Sequence, residues 1–149
     1  MNFFKNKWIV IAFRLFLGGL LIYASFDKIE NPEAFAKIIR NYHAFPYAAT
    51  NILALLLPWI ELYTGVCLIF GIFVDGASLL TMAMMGVFIL AISQAVLRGI
   101  DIECGCFKVT EGSSRVGMRR IIEDIIYLGM AFVVWKREEK VGEWLPKSL

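Results

Sequence analysis

Residues 51–97 read NILALLLPWIELYTGVCLIFGIFVDGASLLTMAMMGVFILAISQAVL, and this stretch decides the fold. A helix needs about 20 mostly apolar residues to cross the hydrocarbon of a bilayer. Two runs here come near that length: Asn51 to Val74 is interrupted only by Glu61, and Ala77 to Leu97 carries no charge. Little more than Val74-Asp75-Gly76 separates them, which predicts a tight helical hairpin. Inside lipid the backbone must satisfy its own hydrogen bonds, so helix is the default conformation.

The same signal recurs on both sides of the hairpin. Trp8 to Phe26 is apolar apart from Arg14. It follows Lys5 and Lys7 and ends near Tyr23-Ala24-Ser25, so a signal peptide is the competing reading. Signal-peptide cores run only about 7–15 residues, which favours a retained span. Ile121 to Trp135 is shorter and carries Glu123 and Asp124 near its start. Arg119, Arg120, Lys136 and Arg137 flank it, and long cationic side chains that snorkel to the headgroups help a short span reach. The predicted fold class is an all-α membrane protein, a four-transmembrane-helix bundle in one domain over 1–149. Its spans are about 8–26, 51–74, 77–97 and 121–135. A short interfacial helix is expected between the first two, in Asn31 to Pro46 (NPEAFAKIIRNYHAFP). Asn31 suits an N-cap, Pro32 the first turn, and Phe35, Ile38, Ile39 and Tyr42 recur at helical spacing. An ordinary polar loop is the alternative there.

Composition agrees with a membrane location and excludes other classes. The chain is 59% hydrophobic and 19% charged, with a mean hydropathy of +0.69. That is too apolar for an ordinary water-soluble domain. Basic residues are scattered rather than interleaved with aromatics in a patch, so no nucleic-acid partner is expected. Four spans put both termini on one side and two connections, 27–49 and 98–120, on the other. The terminal side carries six Lys and Arg residues and the connection side eight, a balance too even for charge to set the orientation. The shortness of the terminal tails, and the persistence of disulfides outside the cytoplasm, favour cytoplasmic termini in a bacterial inner membrane.

The second connection opens with RGIDIECGCFK, residues 98–108. Cys104 and Cys106 are separated only by Gly105, whose backbone freedom helps a very small ring to close. Such a ring departs from relaxed disulfide geometry and closes almost no loop, so it makes a poor staple and a labile, exchangeable bond. Arg98 and Lys108 act to lower a thiol pKa there, and Asp101 and Glu103 to raise it. Two inert thiols, or a metal clip completed by His43, are the other readings; structural zinc sites want four ligands at wider spacing, so no metal is expected. Cys67, far along the second span, reads as a packing residue.

Ionisable groups within spans are costly and face the bundle interior. Arg14 and Glu61 are read as a pair, either a structural bridge or the polar floor of a quinone pocket to which Gln94 adds. Pro58 is expected to kink the second span and open a pocket beside Trp59. Asp27, Lys28, Arg98, Arg120 and Asp124 are expected to gather at the connection-side mouth, positioning the cysteine loop or merely solvating the interface.

Three motifs in order carry a family resemblance. YASFDKIENPEAFAKIIRNY, LPWIELYTGVCLIFG and RGIDIECGCF resemble segments of the DoxX-like membrane proteins, and within them the branch containing the methylamine utilisation protein MauE. RRIIEDIIYLG departs from an Arg-Asp opening of the last span, since Glu123 precedes Asp124. The resemblance implies four helices in the plasma membrane and thiol–disulfide chemistry outside the cytoplasm. It implies exchange with a thioredoxin-like protein or a disulfide-bearing substrate protein, and in related proteins a link to quinone. Cys104 and Cys106 are then the expected catalytic pair. Gly105, Arg98, Asp101, Asp124 and Lys28 would support the loop, and Glu61, Arg14 and Trp59 a quinone. The alternative is a non-enzymatic membrane assembly or maturation factor, or a subunit of a quinone-linked oxidoreductase.

Overall fold

A computed structural model describes residues 6–42, 46–99 and 118–137. These are all helical apart from caps and turns. The elements are α1 (Lys7–Glu30), α2 (Pro32–Asn41), α3 (Tyr47–Phe70), α4 (Val74–Leu97) and α5 (Met118–Trp135).

Each helix starts and stops for a local reason. The Asn6 side chain caps α1 by accepting from the amide of Trp8. α1 runs past its apolar run through Glu30 and stops at Asn31, because a residue before proline disfavours helical angles. Pro32 then opens α2, as expected from the sequence. α3 follows Pro46 and ends at Gly71, whose φ of 75° is the left-handed cap conformation. Its amide and that of Ile72 both donate to the Cys67 carbonyl. The hairpin turn is therefore Gly71-Ile72-Phe73, not the expected Val74-Asp75-Gly76. Those three residues form the first turn of α4, where Asp75 complements the helix dipole.

α1, α3 and α4 are each 24 residues long and apolar enough to cross a membrane. At about 1.5 Å per residue each measures about 36 Å, against a hydrocarbon core of about 30 Å. α5 has 18 residues and carries Arg119, Arg120, Glu123 and Asp124 in its first two turns. By length and composition it is not among the candidate spans. Buried hydroxyls within the three long helices turn back on their own backbone: Ser25 donates to the Ile22 carbonyl, Thr64 to Ile60, Ser78 to Val74 and Thr81 to Ala77.

The packing is a ring of two close helix pairs. α1 and α3 run antiparallel, with Gly18 facing Gly65 and Ile69. α4 and α5 run antiparallel, with Asp75 at the start of α4 meeting Arg137 just past the end of α5. The two pairs touch each other more lightly, through α3 against α4 and α1 against α5. Leu17, Leu21, Cys67, Leu68, Val74, Ala77, Met84, Met85, Ala131 and Val134 form the core between them. α2 folds back and buries Phe35, Ala36 and Ile38 against Ala54 of α3. One end of the bundle thus collects the end of α1, all of α2, the start of α3, the end of α4 and the start of α5. This end is the mouth.

The α1–α3 crossing depends on two glycines. A Cβ on Gly65 would lie 2.7 Å from the Gly18 carbonyl oxygen, and one on Gly18 would lie 2.8 Å from that of Gly65. Small residues let membrane helices approach this closely. Gly65→Leu should therefore lower thermal stability in detergent by about 1–3 kcal/mol, the range for overpacking. Gly19→Leu, whose Cβ meets nothing within 4 Å, should leave the melting midpoint unchanged.

Candidate functional site

The mouth is organised by a buried ion pair. Lys28, in the last turn of α1, places its ammonium 2.7 Å from Oε1 and 2.8 Å from Oε2 of Glu61. The two side chains are 0% and 1% exposed. The rings of Phe35 on α2 and Phe88 on α4 lie 5.1 and 5.4 Å from the same ammonium. Their faces are electrostatically attractive to a cation and exclude water from it. One side chain thus ties four elements together.

Among the described residues, Asp124, in the second turn of α5, is the other buried ionisable group at this level, at 2% exposure. Its Oδ2 has no hydrogen-bond partner among the described residues. It lies within electrostatic reach of Arg120, Glu123 and Lys28. Arg120 in turn donates to Glu123 at 2.7 Å, and Arg119 reaches the same carboxylate at 3.2 Å. Tyr42, just beyond α2, is close enough to feel Asp124. Burial first, and that charge second, push the Tyr42 phenol up to about 12, so it stays protonated and able to donate.

The expected Arg14–Glu61 pairing is corrected by helix register. In the antiparallel α1–α3 pair Glu61 lies opposite Lys28, and Arg14 sits 14 residues earlier on α1, a displacement of about 21 Å. The Arg14 Nε instead donates to the Leu68 carbonyl at 3.0 Å. That oxygen belongs to the last turn of α3, which has no intrahelical donor left, and a cation there also suits the dipole. Arg137 does the same for α5, donating to the Val134 carbonyl at 2.9 Å and to Asp75 at 2.7 Å. Both buried arginines are thus helix-end groups on the side away from the mouth.

The other expected residues divide. Trp59 is 58% exposed on the outer face of α3, since two residues along a helix point well apart. Glu61, Arg14 and Trp59 are therefore not brought together around one pocket. Gln94 is half-buried in the mouth half of α4. Arg98 caps α4 in an exposed position, while Lys28, Asp124 and the half-buried Arg120 do converge. Cys67 is buried in the core, as expected of a packing residue. Cys104, Gly105, Cys106, Asp101 and His43 lie outside the described residues. Phe35, Phe88 and Tyr42 are site residues that sequence reasoning misses. Tyr42 falls on the apolar stripe of α2, and its hydroxyl is the one signal that sets it apart.

Removing one partner of a buried ion pair strands the other charge. Lys28→Met or Glu61→Gln alone should each destabilise the protein by about 3–5 kcal/mol. The double substitution should recover most of that loss. A double-mutant cycle on denaturant unfolding in micelles measures the coupling.

The chain was compared with known proteins. The family model for the methylamine utilisation protein MauE matches residues 6–137. The MauE protein of Paracoccus denitrificans is 32% identical over 108 residues, covering 72% of this chain and 58% of the relative. That of Methylophilus methylotrophus is 30% identical over 121 residues, covering 80% and 64%. That of Paracoccus versutus is 38% identical over 98 residues, covering 65% and 53%. The aligned region thus spans between 53% and 64% of the length of these relatives. No solved structure matches the chain. A family pattern that runs from the first helix through the fifth, with relatives that share it, shows that this chain belongs to the MauE family of membrane proteins.

Proposed function

We propose that the chain is a membrane-embedded thiol–disulfide exchange protein acting through Cys104 and Cys106, in the service of methylamine utilisation. The observation that carries the reading is topological. The segment holding the pair connects the end of α4 to the start of α5, and both of those ends lie at the mouth, beside Lys28, Glu61 and Asp124. In this reading α5 is a fourth span, with its paired charges at the headgroup level and Lys136 beyond its far end. α2 lies in the interface and covers the mouth. The termini are cytoplasmic in a bacterial inner membrane, and the mouth faces the oxidising side. The wider kinship with DoxX-like proteins belongs to the same reading.

The exchange is a two-electron transfer. A thiolate of a reduced thioredoxin-like protein, or of a substrate protein whose disulfide has yet to form, attacks one sulfur of the Cys104–Cys106 disulfide. A mixed disulfide forms and one sulfur of the pair leaves. The partner's second thiolate resolves it, so the partner leaves oxidised and this chain becomes a dithiol, the two protons passing from partner thiols to its own. A membrane quinone, when bound, would supply the oxidant that restores the disulfide, taking up the two electrons and two protons of the dithiol. The outward face of Trp59 gives such a quinone no enclosed pocket with Glu61 and Arg14.

Cys104→Ser and Cys106→Ser should each be compared in cells by non-reducing electrophoresis. One of the two should accumulate a mixed disulfide with a second protein, lost on reduction. A Cys104→Ala/Cys106→Ala variant should abolish oxidation of that partner. Unchanged partner maturation in the double variant would overturn the redox reading and leave a non-enzymatic assembly or maturation factor, or a subunit of a quinone-linked oxidoreductase.

A further inference from the structure

Among the described residues, the charges buried at the mouth do not balance. Glu61 and Asp124 are two carboxylates at 1% and 2% exposure, and Lys28 is the buried ammonium between them. Two of its three N–H donors go to the two oxygens of Glu61, and the rings of Phe35 and Phe88 face the same ammonium. Arg120, the nearest cation on α5 itself, is engaged with Glu123. Asp124 Oδ2 is left without a hydrogen bond among the described residues. A buried carboxylate oxygen with no donor is costly, and a group so placed avoids the cost by becoming neutral.

We propose that Asp124 is a proton-binding site, exchanging one proton with the aqueous phase at the mouth while Lys28 and Glu61 remain a fixed, neutral ion pair. The step is simple acid–base chemistry: the carboxylate takes a proton from water at the mouth and returns it there. The path is short. Met118 and Arg119 at the start of α5 are exposed, and Asp124 lies six residues, about 9 Å, further in.

The groups that the five helices bring to the mouth set the behaviour of Asp124. From α1 comes Lys28, which favours the charged form. From just past α2 comes Tyr42, close enough for its phenol to feel the Asp124 charge. From α3 comes Glu61, whose charge Lys28 already answers. α4 brings the Phe88 ring and no ionisable side chain between Asp75, at the opposite end, and the exposed Arg98. α5 itself contributes Arg120, Glu123 and Tyr127. Loss of the proton places a second carboxylate within electrostatic reach of Lys28, whose ammonium stays on Glu61. This site stands on the described helices and does not require the thiol reading.

Infrared difference spectra of the purified full chain, between mildly acidic and mildly alkaline buffer, test the proposal. The wild type should show a reversible carboxylic-acid carbonyl band that shifts when aspartate is labelled with carbon-13, and should take up one more proton per chain than Asp124→Asn over the same range. Asp124→Asn should lose both the band and that proton. Asp124→Glu, which keeps the carboxyl, should retain the band without its sensitivity to labelled aspartate, and this answers the case in which the asparagine variant does not fold. Cys104→Ser/Cys106→Ser should keep the band, which separates this site from the exchange chemistry. No acid band in the wild type, no response to labelled aspartate, a band unchanged in Asp124→Asn, or a band that still shifts with labelled aspartate in Asp124→Glu would overturn it.

Discussion

A lysine that is wholly buried within an apolar helical bundle has to be answered by a carboxylate, and the position of that carboxylate sets the rest of the mouth. Lys28 meets Glu61 at 2.7 Å across the α1–α3 crossing. In a low-dielectric interior neither charge persists alone, and the pair's desolvation is offset only when geometry is good. Here both carboxylate oxygens receive the ammonium, and two aromatic rings close the remaining sides. Such a pair contributes little net stability compared with apolar packing. It specifies one register between α1 and α3, because sliding either helix by a turn would leave two bare charges in the bundle.

That register is reinforced by contact that only small residues allow. Gly18 and Gly65 bring the backbones of α1 and α3 within reach of each other's carbonyl oxygens, close enough that a single added Cβ collides. The opposite end is held differently. Arg14 and Arg137 answer the unsatisfied carbonyls at the ends of α3 and α5, and Asp75 joins the start of α4 to the arginine beyond α5. The two ends of the bundle thus use charge for separate purposes. Away from the mouth it completes helix ends. At the mouth it leaves a carboxylate oxygen without a donor among the described residues. Buried polar groups are ordinarily satisfied, and the incomplete one at the mouth is the observation on which the proposed proton site rests.

Much of the architecture is legible in local sequence. The apolar runs mark α1, α3 and α4, and the Asn31-Pro32 pair marks the break between α1 and α2. The motifs around Lys28, Glu61 and Cys104 point to the MauE branch, in agreement with the family match. The departures share a cause. Val74-Asp75-Gly76 looks polar enough for a hairpin turn, yet Gly71 stops α3 first by taking a left-handed conformation, and an aspartate is as welcome in a helix's first turn as in a loop. Tyr42 fits an apolar stripe by its ring, although its hydroxyl gives it a second use.

By itself the sequence determined that this chain is helical and membrane-embedded, which residues start and stop most of the helices, and that charges buried in the spans must find partners. These properties depend on neighbours a few residues apart and on the solvent the helices face. Which charge answers which was decided only by tertiary structure. Arg14 and Lys28 are both cations on α1, and a one-dimensional reading cannot rank them as partners for Glu61. Antiparallel packing through Gly18 and Gly65 sets the register, brings Lys28 opposite Glu61 and leaves Arg14 facing the end of α3. Partner choice among buried charges is a matter of register between helices, and register exists only once the helices have packed.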